Sequence, residues 1–340
     1  MRIGLLTGGG DVPGLNAAIR AVVKHGMSYG HTIVGFRNGW RGVVEGDVHD
    51  LTRSDVRNVL PLGGTMLGTA RFHPHRTEGG LEAVCSTLEA EKVEALVCIG
   101  GDGTMHAAHK VAETGVRIVG IPKTIDNDVW GTDRSIGFDT AVSVATEAVD
   151  RIHTTAESHN RVMIVEVMGR HAGWIAVTAG IAGGAEIVLT PEEPFDIEQV
   201  VKRLQHRHRA HASFSIVVVA EGAVPAEGTA MEYTTQVGKF GEIIAGAIGE
   251  RVKREIAERT GFDTRVTVLG HVQRGGRPSA FDRLLATRMG AYATDRLLAG
   301  ETGKMVALRG SKLESYPLED AVAQLRPLDL RLLELSDVMD

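Results

Sequence analysis

Short apolar, β-branched runs alternate with longer amphipathic segments along almost the whole chain. Apolar runs of this kind predict buried strands, and apolar residues repeated every three or four positions predict helices. Because the connection between two parallel strands crosses back over the sheet as a helix, the alternation predicts an α/β fold with mostly parallel sheets. The predicted strands are 3–7, 32–36, 95–99, 117–121, 162–167, 186–189, 215–220, 266–269 and 305–308, and the predicted helices include 15–25, 105–113, 141–152, 197–207, 241–259 and 281–298.

The length of 340 residues predicts about two domains. With 43% hydrophobic and 24% charged residues, the composition is that of an ordinary globular protein, which excludes a disordered or fibrous chain. We therefore expect two unequal, doubly wound, Rossmann-like domains, each built on an open and mostly parallel sheet.

Net charge and cysteine content indicate which binding partners and which cellular compartment this protein is expected to have. The net charge of −6 offers no electrostatic basis for binding nucleic acid. The two cysteines, Cys85 and Cys98, lack a metal-type spacing and fit a reducing compartment. No apolar stretch reaches the roughly 18 residues that would span a membrane, and the first apolar run is too short for a signal peptide. We expect a cytoplasmic protein with no nucleic-acid or membrane partner.

Two glycine-rich loops, 8–14 and 100–104, follow predicted strands and are candidates for phosphate binding. Glycines let backbone N–H groups approach a phosphate, and ligands of open α/β sheets bind at this carboxyl edge. A dinucleotide fingerprint would need a glycine at Pro13 and an acidic residue near Phe36, so a dehydrogenase is disfavoured, and no P-loop motif occurs. Taken alone, each loop could also be a purely structural turn.

Carboxylates lie in the second of these loops and in a further loop, 122–128, after the next predicted strand. Asp102 could hold Mg²⁺, which prefers oxygen ligands and phosphate partners, or it could cap the following helix. Two carboxylates beside a hydroxyl and an ammonium group suit acid–base and metal chemistry, although a plain turn has a similar composition. In loop 122–128 these groups belong to Asp126, Asp128, Thr124 and Lys123.

Six segments, in order and in spacing, resemble the successive signatures of the 6-phosphofructokinase family, in its bacterial form. The resemblance extends from residue 2 to about residue 310. Six motifs in the same order are far more specific than any one of them. The segments are 8–16, 63–71, 100–104, 122–128, 166–170 and 269–276.

The resemblance implies phosphoryl transfer from ATP, or in some members from pyrophosphate, to the 1-hydroxyl of fructose 6-phosphate, with Mg²⁺ as the cofactor. Asp126 matches the family's general base, and Asp128 matches a second carboxylate that orders the metal and the sugar. Thr124 would contact the moving phosphoryl group, and Arg170 would neutralise its charge. The positions that match donor contacts are Gly10, Arg71, Phe72, Asp102, Gly103, Thr104 and Lys123, with Asp102 as the expected metal ligand.

A second set of positions matches the family's contacts to the sugar phosphate. Arginine is suited to a phosphate because its planar fork donates two hydrogen bonds. In the family two of these arginines, here Arg161 and Arg265, reach the site of a neighbouring subunit, which implies a homo-oligomer, usually a tetramer. The set comprises Arg161, Arg265, His271, Arg274, Met168, Gly169 and Glu221, together with Thr124, Asp126 and Arg170.

The same resemblance implies that the chain crosses between its domains near residues 138, 250 and 305, with the active site in the cleft between them. The larger, nucleotide-binding domain is expected to comprise 1–138 plus 251–305. The smaller, sugar-phosphate-binding domain is expected to comprise 139–250 plus 306–340.

Two positions favour different phosphoryl donors. Gly103 leaves space beside Asp102 for the α-phosphate and ribose of a nucleotide, whereas the family's pyrophosphate users tend to have an aspartate there. Lys123 resembles the pyrophosphate users, because ATP-only members often carry glycine at this position. We expect ATP as the donor and keep pyrophosphate as the alternative. A non-catalytic sugar-phosphate sensor on the same fold is a further alternative.

The family's effector site for ADP and phosphoenolpyruvate is only partly matched. Losing charge-assisted hydrogen bonds, each worth about 1.5–3 kcal/mol, should weaken effector binding by orders of magnitude, so we expect little allosteric response. Cations from 206–209 could rebuild the site, which stays open as an alternative. Arg20, Lys24, Arg53 and Glu186 match in kind, whereas His153, Ala210, Ala212 and Phe214 replace an arginine, two lysines and a histidine.

Overall fold

Strands and helices alternate in the computed structural model, which describes residues 1–210, 212–231, 233–237 and 243–338. The strands are β1 Arg2–Gly8, β2 Thr32–Phe36, β3 Val48–Leu51, β4 Ala95–Gly100, β5 Ile118–Pro122, β6 Val162–Val167, β7 Ile187–Leu189, β8 Ser215–Ala220, β9 Thr264–Val268, β10 Lys304–Arg309 and β11 Lys312–Pro317. The α-helices are α1 Leu15–Ser28, α2 Trp40–Glu45, α3 Gly80–Ala90, α4 Asp102–Ala112, α5 Phe138–His159, α6 Trp174–Gly183, α7 Ile197–Arg209, α8 Ala247–Thr260, α9 Ala280–Leu298, α10 Leu318–Ala321 and α11 Leu330–Val338.

All nine predicted strands are present, which confirms the mostly parallel α/β fold. The sequence analysis missed β3 and β11, which lie at the two edges of one sheet and pair antiparallel with their neighbours. Edge strands of this kind are partly exposed and lack the continuous apolar run of a central strand. The helix predicted for 241–259 begins at Ala247, and residues 241 and 242 lie outside the described part of the chain.

The first compact unit contains residues 1–140 and 274–326 and is built on a seven-stranded sheet in the order β11-β10-β5-β4-β1-β2-β3. Its central strands are buried along nearly their whole length, and this explains their long apolar runs. Helix α1 packs against α9, while α4 packs on β4 and β5. A core cluster that includes Leu6, Leu96, Met105 and Leu318 fills the space between sheet and helices.

The second compact unit contains 141–273 and the chain from Pro327 onward, and its four-stranded sheet is parallel throughout, in the order β7-β8-β6-β9. Its core cluster includes Ile164, Val217 and Ile256. Among the described helices of both units, none is long and apolar enough to cross a membrane.

The chain was expected to pass from one domain to the other near residues 138, 250 and 305. The boundaries of the two units differ from the second and third of these positions. Residues 251–273 lie in the second unit, because β9 pairs with β6 and α8 packs against both strands. Residues 306–326 lie in the first unit, because β10 pairs with β5 and β11 pairs with β10. Strand pairing between distant segments, which leaves no local signature, decides both assignments.

Candidate active site

Three loops begin at the same level of the first unit's sheet. Gly8 at the end of β1 is paired with Gly100 of β4, and Gly100 is paired with Pro122 of β5. Adjacent strands are about 4.8 Å apart, so loops 8–14, 100–104 and 122–128 start within roughly 10 Å of one another. A Cβ on either glycine would overlap the Thr104 side chain, so this close approach requires glycine at both positions.

Asp102 and Gly103 open helix α4 at this edge. The Asp102 side chain is 39% exposed, and its Oδ1 lies 3.2 Å from Nδ1 of His106. A Cβ on Gly103 would lie 2.7 Å from Cε1 of His73, so the His73 ring lies directly beside Gly103. Burial, followed by the positive charge of Arg76, lowers the pKa of His73 and favours a neutral ring.

Lys123 joins the loop after β5 to the loop after β1. Its side chain is almost fully buried, and its Nζ donates a hydrogen bond to the carbonyl oxygen of Gly10. The Arg274 guanidinium contacts the next residue of this loop, where its Nη1 donates to the carbonyl of Asp11 at 3.4 Å. A Cβ on Gly10 would lie 2.8 Å from the same Nη1. Two cations therefore border loop 8–14.

The expected catalytic pair is buried and internally hydrogen-bonded. Thr124 Oγ1 lies 3.2 Å from Oδ2 of Asp126, and the Asp126 amide donates to the same hydroxyl at 3.1 Å. Asn127 has a left-handed φ of 54°, and its Oδ1 accepts from the Ser135 amide at 3.0 Å. The Ser135 hydroxyl donates to the Thr124 carbonyl at 2.7 Å. These bonds fix the backbone around the Asp126 carboxylate, while Asp128 is partly exposed.

Arg71 and Phe72 follow a segment that is anchored to loop 8–14 and to α1. Thr69 Oγ1 donates to the Gly9 carbonyl at 2.5 Å, and Asn16 Oδ1 accepts from the Met66 amide at 2.8 Å. Phe72 packs against the first unit's core, and Arg71 is exposed. The donor positions expected from the sequence thus lie together in the first unit.

In the second unit, Glu221 organises the loop that follows β6. Val167 is paired with Ala220, so the ends of β6 and β8 are level. The buried Glu221 Oε1 accepts from the amides of Gly169 at 3.3 Å and Arg170 at 3.0 Å. Arg170 has φ of 53°, in the left-handed region that disfavours side chains, and these bonds offset that strain.

His271 and Met168 also lie at this edge of the second unit. Met168 is buried, and its amide donates to Oε1 of Gln273 at 2.9 Å. His271 is exposed in the short 3₁₀ helix Gly270–Arg274, which follows β9. The sequence analysis did not select Gln273, which is fully buried, although it lies inside the 269–276 motif.

Arg161 and Arg265 lie at the amino ends of the strands of the same sheet, opposite the carboxyl ends where Met168 and His271 lie. Arg161 precedes β6 and Arg265 is near the start of β9, so the six residues of β6 separate them from Met168 by roughly 20 Å. Both arginines pair with the Asp263 carboxylate, Arg161 Nε at 2.7 Å. The hydrogen bond from Arg161 lowers the pKa of Asp263.

The expected effector positions divide between the two units. Arg20, Lys24 and Arg53 line one cavity of about 250 Å³ in the first unit. In the second unit, Glu186 accepts from Arg207 Nη2 at 2.7 Å and from the Ile216 amide. The rings of His153 and Phe214, two of the residues that do not match the expected effector site, contact edge to face with centroids 4.7 Å apart.

Asp282, which the sequence analysis did not single out, is a fully buried carboxylate of the first unit. It accepts hydrogen bonds from the amides of Gly137 and Thr140 and from the Thr140 hydroxyl, at 2.9, 2.8 and 2.5 Å. Burial raises its pKa to about 6. Only the Ser279-x-x-Asp282 spacing of a helix cap could have drawn attention to it.

Comparison with known proteins identifies relatives over the whole chain. The family model described as Phosphofructokinase matches residues 2–297. An Amycolatopsis methanolica protein named pyrophosphate–fructose 6-phosphate 1-phosphotransferase is 51% identical over 99% of both chains. A Mycobacterium tuberculosis protein named ATP-dependent 6-phosphofructokinase is 52% identical over 96% of both chains. The Pichia pastoris phosphofructokinase structure has a TM-score of 0.85 at 34% identity, covering 99% of this chain and 36% of the longer yeast chain.

Proposed function

This chain belongs to the phosphofructokinase family, and on that premise we propose that it transfers the terminal phosphoryl group of ATP to the 1-hydroxyl of fructose 6-phosphate. The products are fructose 1,6-bisphosphate and ADP. The observation that carries the proposal is the register Gly8–Gly100–Pro122. It brings a phosphate-type loop, an accessible carboxylate and a buried hydroxyl–carboxylate pair to one sheet edge.

Asp126 is the general base of the proposed reaction. Its carboxylate takes the proton of the sugar's 1-hydroxyl as the oxygen attacks the terminal phosphorus, and the bond from phosphorus to the donor's bridging oxygen breaks. Thr124 Oγ1, beside this carboxylate, orients it and contacts the transferring group. Phosphoryl transfer depends mainly on positioning and on charge stabilisation, and the hydrogen-bonded backbone of 124–135 supplies the positioning.

Cations supply the charge stabilisation. Lys123 borders loop 8–14, where the donor phosphates bind. Arg170 neutralises charge on the transferring group, and the Glu221 carboxylate fixes the backbone that carries it. His271 binds the sugar's 6-phosphate together with Arg274, while Met168, Gly169 and Glu221 contact the sugar ring.

Asp102 fits the role of a magnesium ligand. It is an accessible carboxylate at the edge where the donor loops meet, and oxygen is the ligand that Mg²⁺ prefers. In the described segments, no group of three His, Cys, Asp or Glu side chains forms a metal site. Asp102 would hold the ion together with donor phosphates and water, as is usual for Mg²⁺ with nucleotides. When bound, the ion neutralises charge on the phosphate oxygens.

The donor is tested by turnover with ATP and with pyrophosphate at matched concentration, in a coupled assay for fructose 1,6-bisphosphate. Gly103 supports ATP, because the family's pyrophosphate users tend to have an aspartate at this position. Lys123 and the pyrophosphate-named relatives support the alternative. A pyrophosphate rate above the ATP rate would overturn the choice of ATP. Fructose 6-phosphate binding without turnover of either donor would favour the sensor.

We place Arg161 and Arg265 in the site of a neighbouring subunit, in a homo-oligomer of tetrameric form. Their position at the far edge of the second unit's sheet supports this, because one chain's Met168 and Glu221 lie about 20 Å away. Light scattering after gel filtration tests the assembly, and an active monomer would contradict it. We further propose that the protein acts in the cytoplasm, where its two unpaired cysteines stay reduced.

A further inference from the structure

The buried carboxylate of Asp282 joins two helix starts that are far apart in the sequence. Asp282 lies in the first turn of α9, and the three groups that donate to it belong to Gly137 and Thr140, at the start of α5. The contacts are reciprocal, since the Thr140 hydroxyl accepts from the Ser279 amide at 3.0 Å. The Ser279 hydroxyl in turn donates to Asp139 at 2.6 Å.

The segment that Asp282 binds leads directly to the proposed catalytic loop. The Ile136 amide donates to the Pro122 carbonyl, and the Ile136 carbonyl accepts from the Thr124 amide, each at 3.2 Å. The Ser135 hydroxyl donates to the Thr124 carbonyl. Both peptide groups of Thr124 are therefore bonded to the two residues that immediately precede Gly137.

The same region also packs against the loop after β1. A Cβ on Gly14 would lie 2.6 Å from Cγ2 of Ile136 and 3.6 Å from Cβ of Asp282. Gly137 has a φ of 99°, and a Cβ on it would lie 2.5 Å from the Val12 side chain. Asp282 thus contacts the segment that supports the acid–base loop at a point where that segment meets the phosphate loop.

We propose that Asp282 is a positioning residue for the phosphoryl transfer: by binding Gly137 and Thr140, it fixes the Thr124–Asp126 loop relative to loop 8–14. The inference rests on the proposed function, and Asp282 itself contacts no reacting atom. A carboxylate is needed because three donors converge on it, and an amide at this position would turn an N–H₂ group toward one set of donors. Misplacement of reacting groups by about 1 Å can lower a rate by about 10²-fold.

The test measures kcat, the KM for fructose 6-phosphate and the melting temperature for Asp282→Asn and Thr140→Val. Thr140→Ser keeps the hydroxyl, and Thr294→Val removes a fully buried hydroxyl on the same helix α9 that bonds within the helix, to Gly290. We expect kcat per folded site to fall at least about tenfold in Asp282→Asn and in Thr140→Val, with KM changed less than about threefold. Thr140→Ser should restore most of the rate, and Thr294→Val should change only the melting temperature.

Unchanged kcat in Asp282→Asn and Thr140→Val, with melting temperatures lowered as in Thr294→Val, would overturn the proposal and leave Asp282 a structural residue. If Asp282→Asn does not fold, Thr140→Val decides. An inactive wild type would refute the proposed function instead. In that case, hydrogen exchange in peptides covering 122–137 decides the positioning role: faster exchange in Thr140→Val than in Thr294→Val supports it, and equal exchange refutes it.

Discussion

Ionisation of Asp282 should make the stability of this protein depend on pH in a direction opposite to that of most carboxylates. The side chain is fully buried, and burial is the main cause that raises its pKa from 3.8 to about 6. Asp139 raises the pKa further, while the hydrogen bonds from Thr140 and Gly137 oppose the rise. A rise of about two pKa units corresponds to about 3 kcal/mol of free energy of unfolding.

The sign follows from proton binding. Because the folded state binds the proton more tightly than the unfolded state, the favourable contribution of Asp282 is complete below about pH 4. It is lost as the pH rises through about 6. Urea unfolding of the wild type and of Asp282→Asn, at several pH values between about 4 and 8 and one protein concentration, isolates this residue. The hydrogen bonds lost in the variant change its free energy of unfolding by the same amount at every pH. The change with pH in the difference between the two free energies therefore reports the titration of the Asp282 carboxyl.

We expect the stability of the wild type relative to Asp282→Asn to fall by about 3 kcal/mol between pH 4 and pH 8. A difference that does not change with pH would mean that burial does not perturb this carboxyl. A wild type that gains stability over the variant as the pH rises would mean that the three donors outweigh burial and lower the pKa. Either result would refute the reasoning.

Four further results are expected. Asp126→Asn should lower kcat with fructose 6-phosphate by about 10²- to 10⁴-fold and leave substrate KM values nearly unchanged in the coupled assay, because only proton transfer is lost. His73→Ala should lower the KM for ATP and leave the rate with pyrophosphate unchanged, because its ring occupies the space beside Gly103; an unchanged KM contradicts this. Mixed oligomers of Asp126→Asn and Arg265→Ala subunits should be more active than either parent if Arg265 serves a neighbour's site, and equal activity would count against it. Rate curves against fructose 6-phosphate should stay near-hyperbolic with millimolar phosphoenolpyruvate, and a marked sigmoidal shift would show that the effector site persists.

Much of the site was accessible from the sequence because its residues lie in loops directly after strongly apolar strands. Parallel strands end at one edge of a sheet, and the loops that carry Asp102 and Asp126 begin side by side because Gly100 is paired with Pro122. Arg161 and Arg265 were assigned by resemblance alone. They lie at the amino ends of the strands because Arg161 precedes β6 and Arg265 is near the start of β9.

Other features could not be read from local patterns. The His73 ring lies beside Gly103, a contact between separate segments of the chain that no local pattern indicates. The edge strands β3 and β11 were missed because their partial exposure removes the apolar run that marks a central strand.

Residue order along this chain encodes the succession of strands and helices and the chemistry of each loop, since apolar periodicity and glycine or carboxylate content are local properties. Tertiary packing decides which distant segments meet. It sets the register of Gly8, Gly100 and Pro122, and it pairs Asp282 with Thr140 across 142 positions of sequence. A buried carboxylate needs donors wherever the fold can supply them, and the local sequence around Asp282 does not specify which residues those are.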